Sequence, residues 1–176
     1  VNKDQLVGIL SYRNYFKNNQ FYFTTLAADY DRPRHIQNRY VPSVGYGYKF
    51  MFDDTDWLEP SIGVGYAMTD YVDDIDPKKN YADNNFAVAA LNLVGKYQFD
   101  DVAYINTFII DGFIYYYPSL ENLGEDWIFR SNLTFTVPLF DFLFVKLSYD
   151  LINDSNPDPS VGNNKTTTKL LFGFDF

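Results

Sequence analysis

The sequence predicts an all-β protein, an antiparallel transmembrane β-barrel, and three observations carry the prediction. Aromatic residues make up 20% of the 176 positions, as 17 Phe, 16 Tyr and 2 Trp, yet the mean hydropathy is slightly negative. Apolar and small or polar residues alternate with a period of two through segments of roughly 10 to 14 residues, longer than the usual strand of about 5 or 6. Such lengths suit the 9 to 11 residues that a tilted strand needs to cross a bilayer. The last eleven residues, Thr166-Thr-Thr-Lys-Leu-Leu-Phe-Gly-Phe-Asp-Phe176, place Thr168, Leu170, Phe172, Phe174 and Phe176 on one face, and Lys169, Leu171, Gly173 and Asp175 on the other. In water that first face is a template for aggregation; against lipid it is what a barrel strand presents.

Composition excludes several other classes. A helical membrane protein needs runs of about 18 or more apolar residues, and the apolar stretches here are broken every few residues by Asn, Asp, Lys, Gly or Thr. With no Cys, neither a disulfide scaffold nor a thiolate metal site is available. The net charge of -9 gives no basic footprint for nucleic acid. The chain opens Val1-Asn-Lys without Met or a signal peptide, so an upstream part is expected to have been cleaved or left out. A soluble β-sandwich is the alternative fold, and it requires a second sheet to cover one face of the first.

Nine strands follow in order. The first, at 6–16, alternates Leu6, Gly8, Leu10 and Tyr12 against Val7, Ile9, Ser11 and Arg13, and Lys17-Asn-Asn-Gln20 makes a tight turn. The second, at 21–30, ends in the charged Asp31-Arg-Pro-Arg-His35. The third, at 40–50, sets Tyr40, Val44, Tyr46, Tyr48 and Phe50 against Ser43, Gly45, Gly47 and Lys49. After Asp53-Asp-Thr-Asp56 the fourth sets Leu58, Ile62, Val64 and Tyr66 against Glu59, Ser61, Gly63 and Gly65. The fifth, at 86–99, follows a long polar loop and opposes Ala89, Leu91, Leu93 and Tyr97 to Asn92, Lys96 and Gln98.

In the sixth, at 102–117, Asn106 and Asp111 fall on opposite faces, which a bulge between them would reconcile. The seventh, at 127–139, turns Phe129, Leu133, Phe135 and Val137 outward and Arg130, Asn132, Thr134 and Thr136 inward. After the minimal turn Phe140-Asp-Phe142, the eighth opposes Leu143, Val145, Leu147, Tyr149 and Leu151 to Lys146, Ser148 and Asp150, and the loop 153–165 leads to the last strand. Pro42, Pro60 and Pro138 all fall near a strand end, where a missing donor is tolerable.

Connections near 17–20, 53–56, 100–101 and 140–142 are short, and those near 70–85, 118–126 and 153–165 are long. Outer-membrane barrels have short periplasmic turns and longer extracellular loops, so the carboxy terminus is expected in the periplasm. The first strand then runs downward, and a periplasmic amino terminus requires an odd number of strands before it. About ten or twelve strands are expected in the intact barrel, with 1–176 as a single barrel domain whose amino-terminal strands are missing.

The run Trp127-Ile-Phe-Arg-Ser-Asn-Leu-Thr-Phe-Thr-Val-Pro-Leu-Phe-Asp141, then Val145-Lys-Leu-Ser-Tyr-Asp150, Asn156-Pro-Asp-Pro159 and the closing aromatic strand resemble the carboxy-terminal half of the salt-induced outer-membrane protein family, also catalogued as domain of unknown function 481. Pro42-Ser-Val-Gly-Tyr-Gly-Tyr48 and Glu59-Pro-Ser-Ile-Gly-Val-Gly-Tyr66 resemble its paired central strands. The resemblance implies a barrel domain that starts some strands earlier, and it supplies no catalytic residues. The terminal strand, with Phe172, Phe174 and Phe176, resembles the sorting signal read by the barrel assembly machinery.

Function is sought in the inward charges Arg13, Lys49, Glu59, Lys96, Arg130, Lys146, Asp150, Lys169 and Asp175, of which six of the nine are cationic. They line either a narrow path for small solutes or ions with a positive bias, or a lumen plugged by ion pairs; about ten or twelve strands lie between filled and open barrels. The acidity of the chain is assigned mainly to loops and turns. Asp70, Asp73, Asp74 and Asp76, with Asp83 nearby, offer oxygen ligands for Ca²⁺ but lack the glycine and spacing of a calcium loop. His35, the sole histidine, has no positioned partner in the sequence for general-base work, so no enzyme and no cofactor is expected.

Tyr115-Tyr-Tyr117 suits a lipid face that holds a partner, although interfacial aromatics do the same by default. The expected partners are the lipid bilayer with lipopolysaccharide, the barrel assembly machinery and an envelope protein. Arginine is expected to be costly at outward Val145 or Leu147 and tolerated at inward Ser148.

Overall fold

The computed structural model describes residues 5–71, 84–102, 105–140, 143–155 and 164–174. They form one antiparallel sheet of ten strands: β1 (Gln5–Tyr15), β2 (Gln20–Asp31), β3 (Ile36–Tyr48), the two-residue β4 (Phe50–Met51), β5 (Trp57–Tyr71), β6 (Asn84–Val102), β7 (Ile105–Pro118), β8 (Trp127–Phe140), β9 (Leu143–Asp154) and β10 (Asn164–Phe174). The order is a meander, β1-β2-β3-β5-β6-β7-β8-β9-β10, with β4 pairing only with β5. No second sheet is present among the described residues, so the sandwich alternative is set aside.

Alternation fixes which face each residue takes, and the sheet curls so that one face becomes an interior. On β2 the odd positions Phe21, Phe23, Thr25, Ala27, Asp29 and Asp31 are buried, while Tyr22 and Leu26 are exposed. The same alternation puts Val41 and Ser43 of β3, Glu59, Ala67 and Thr69 of β5, and, on even positions, Phe86, Val88, Ala90 and Asn92 of β6 inside. Curling requires small residues where the inner face is crowded. Gly45 and Gly63 are opposite each other on β3 and β5, and the ring of Phe23 lies so close to Gly45 that a Cβ there would be 2.5 Å from Phe23 Cε1. The interior between the strands is filled by Phe21, Phe23, Val41, Tyr115, Tyr117 and Ile128, among others.

The turns obey local rules. Between β1 and β2, Asn18 and Asn19 both take left-handed backbone, φ 62° and 61°, as two consecutive positions of a tight hairpin of this hand require and asparagine tolerates. Asp53 organises the turn before β5: its Oδ1 accepts from the backbone N–H of Thr55 and of Asp56, each at 2.7 Å, and from Thr55 Oγ1 at 3.0 Å. Those bonds favour the charged form, the Thr55 backbone bond most and the Asp56 one next, and hold the Asp53 carboxyl below the usual carboxylate range. Because the folded value is depressed, the turn's stabilisation is complete above the unfolded value of about 3.9 and is lost as pH falls through the folded one. A side-chain NMR titration is expected to place Asp53 below a free Asp, and an Asp53→Asn variant is expected to lose the acid dependence of this turn.

Two expectations are corrected here. Pairing of β6 with β7 runs in unbroken register from Val102↔Ile105 to Leu91↔Tyr116, so β7 has no bulge between Asn106 and Asp111. Tyr115 and Tyr117 are buried in the interior and only Tyr116 of that run is outward, because odd positions of β7 take the inner face. The alternation of connection length also has an exception. Arg32–Arg34 and His35 join β2 to β3 in a short 3-10 turn, closed by His35 in left-handed conformation, at the end where the other loops are long.

Candidate functional site: a charged interior

The outer face carries the exposed apolar residues. Leu10, Leu26, Val44, Ile62, Val64, Leu133, Leu147 and Leu170 form its aliphatic part, with Leu10 at 74% exposure. Toward the short-turn end aromatic side chains gather: Phe16, Tyr22 and Tyr46 meet with ring centroids 5.0 to 6.1 Å apart, and Tyr97 and Phe99 at 4.6 Å. Tyr40, Tyr66 and Tyr149 are exposed nearer the other end. No helix among the described residues is long and apolar enough to cross a membrane.

Inside, charges collect in three places. At the short-turn end Glu59, 2% exposed, receives a hydrogen bond from Tyr15 Oη at 2.6 Å and ion pairs from Arg13 at 3.4 Å and Lys49 at 3.6 Å. Lys49 also lies over the Trp57 ring, 4.7 Å from its centroid. On the β8–β9 side, Asn132 Nδ2 donates to Ser148 Oγ at 2.8 Å and to Asp150 Oδ1 at 2.7 Å, and Lys169 reaches Asp150 Oδ2 at 3.0 Å. Ser148 is therefore buried in a hydrogen-bonded cluster, and an arginine there would have to break it. The expected tolerance at Ser148 is accordingly corrected.

The third cluster spans the interior at the long-loop end. Arg130 of β8 pairs with Asp29 of β2, and Arg39 of β3 pairs with Asp154 of β9. Arg39 Nε also donates to Thr69 Oγ1 at 3.1 Å, and Arg34 lies 3.7 Å from the same Asp154. Lys165 of β10 donates to Asp31 Oδ2 at 2.6 Å, while Gln5 of β1 donates to Asp31 Oδ1 at 3.1 Å. Arg39 and Arg130 are 1% and 2% exposed. Charges this deep persist only when paired, because desolvation of a lone ion is costly.

Of the sequence-predicted lumen residues, Arg13, Lys49 and Glu59 come together, Asp150 and Lys169 come together, and Arg130 joins the long-loop cluster. Lys146 lies over the Phe144 ring at 4.8 Å, and Lys96 faces Asp111 across the β6–β7 ladder. Asp175 and Phe176 lie outside the described residues, as do Asp73, Asp74, Asp76 and Asp83; Asp70 is exposed on β5. Phe172 is 67% exposed on the outer face, and Phe174 pairs with Leu143 at the end of β10. No group of three or more metal-binding side chains occurs among the described residues.

Sequence reasoning missed Asp29, Asp31, Arg34, Arg39, Asp154 and Lys165. Parity was available for most of them: Arg39 shares a face with Ser43, Asp154 with Asp150, and Lys165 with Lys169. Asp29, Asp31 and Asp154 therefore join Glu59 and Asp150 inside the curl, together with the cations Arg34, Arg39 and Lys165.

Comparison with known proteins adds the family. All of residues 1–176 match DUF481, described as a protein of unknown function. The chain belongs to the DUF481 family. No curated protein matches it, and no solved structure does. For this DUF481 chain the family description carries no activity, so its charged interior is the feature on which a functional reading has to rest.

Proposed function

We propose that this protein is an integral outer-membrane β-barrel of a Gram-negative bacterium with a closed lumen. In this reading it serves as a structural or partner-binding barrel in the envelope and catalyses no reaction. The observation that carries the reading is the burial of Arg39 and Arg130 in ion pairs that cross the interior. A water-filled path would hydrate those guanidinium groups. Away from the cavity between the sheet edges, the inner face carries a buried apolar cluster that includes Phe21, Tyr117 and Ile128. The membrane location is supported by the exposed aliphatic surface and its aromatic flanks, since lipid-facing barrels present such a band between aromatic girdles. Short turns at one end support a periplasmic placement of that end and of the carboxy terminus. The longer loops then face outward, beside lipopolysaccharide, as the surface for an envelope partner, and the assembly machinery is the partner in biogenesis.

The test is single-channel recording of the purified full-length protein in a planar bilayer. The expected result is no steady conductance from folded, inserted protein. Steady anion-favouring steps that weaken when Lys96, Arg130 and Lys146 are neutralised would overturn the closed lumen and restore a narrow channel.

A further inference from the structure

Among the described residues β1 and β10 are the free edges of the sheet. Nine strands in antiparallel succession leave these two edges running in the same direction, so joining them directly would make a parallel contact. A cavity of about 750 Å³ lies between them, with Val7 and Ile9 on one side, Thr167 and Lys169 on the other, and Phe113 and Arg130 at the back. At the long-loop end the edges are bridged by side chains, Gln5 and Lys165 sharing the two oxygens of Asp31. An open edge in lipid leaves a row of backbone N–H and C=O groups unpaired, which a bilayer does not permit.

We propose that this seam is filled by one further β-strand of the same protein, preceding β1 and running from the short-turn end to the long-loop end, with apolar residues outward and carboxylates or other acceptors inward. The inference rests on the membrane reading above. Only a strand of that direction is antiparallel to both edges, and it brings the count of long strands to an even number, as bacterial single-chain barrels have. A second copy in the same membrane orientation presents its own β1 and β10 in the direction of these edges, so it cannot supply the strand.

Each pairing of long strands joins neighbours in sequence, and the amino end of β1 lies at the long-loop end, where the added strand would arrive. One strand fits, because the shared Asp31 holds the edges near each other and an inserted strand spaces them about 10 Å apart. Its chemistry follows from what it would meet. Inward it faces Arg130, Asp150, Lys165 and Lys169; the two lysines already pair with Asp31 and Asp150, whereas Arg130 Nε and Nη1 are buried donors without an acceptor. Outward it lies between Leu6, Leu10 and Tyr12 of β1 and Leu170 and Phe172 of β10, all exposed.

The experiment uses the full-length protein folded into phosphatidylcholine vesicles. Flotation with the vesicles reads the membrane assignment by itself: protein that does not float overturns that assignment. In floating protein, hydrogen exchange is expected to show β1 and β10 amides protected as strongly as those of β5 and β6; rapid exchange at both edges overturns the seam strand. The chain has no Cys, so introduced pairs report cleanly. Val7→Cys with Thr167→Cys is expected to form no disulfide, and its formation would mean direct closure. Ile9→Cys is expected to crosslink to a cysteine placed in the polypeptide upstream of Val1. Edge protection without any such crosslink, or only with a second protein present, assigns the strand to another source and overturns the proposal.

Discussion

Asp29→Asn is expected to destabilise the protein by about 3–5 kcal/mol, because it leaves the Arg130 guanidinium charged, buried and without its counter-ion. Arg130 is 2% exposed and its Nη2 bonds Asp29 Oδ2, so water cannot replace the lost partner. The amide keeps the volume of the carboxyl, which separates charge from packing. A double variant, Asp29→Leu with Arg130→Met, removes both charges and is expected to recover most of the loss, since a buried pair replaced by apolar residues is often neutral. Reversible urea unfolding in lipid vesicles, following Trp57 and Trp127 fluorescence, measures both. A single variant within about 1 kcal/mol of the parent would mean that the pair is hydrated, against the closed interior.

The second large effect belongs to the outer face. Leu147→Arg is expected to cost about 2–4 kcal/mol near the bilayer midplane. Leu147 is exposed and pairs across the ladders with Leu170 and Phe135, both of the outward parity, so no acid is at hand to receive the charge. The comparison is Thr167→Arg, on the inner face opposite Asp150 in the β9–β10 register, where an acid faces the added charge and a smaller loss than at Leu147 is expected. The pair of variants isolates the side of the sheet, because the two positions lie on neighbouring strands. Equal losses at both, measured by folding into vesicles, would remove the lipid from the outer face.

The facing of these residues was legible from alternation alone. Tyr40, Val44 and Tyr46 against Ser43, Gly45 and Gly47 needs only the two-residue period of a strand, and the structure places the first set outside and the second inside. The same period failed at β7, where two polar residues on opposite faces suggested a bulge; an unbroken ladder shows that one polar residue does not mark the inner face. It also stopped short at strand ends. Arg39 and Asp154 lay just beyond the positions where the pattern was clearest, yet they form one of the two deeply buried arginine ion pairs.

Strand order, strand facing and the apolar outer surface are thus properties of the sequence by itself, because each follows from nearest neighbours along the chain. Which charges meet is a property of the curl. Asp29 and Arg130 are separated by 101 residues, Arg39 and Asp154 by 115, and Asp31 and Lys165 by 134. Alternation can turn all six inward, but only the curl of the sheet sets β2 and β3 against β8, β9 and β10, and with that decides which ion pairs form at the long-loop end.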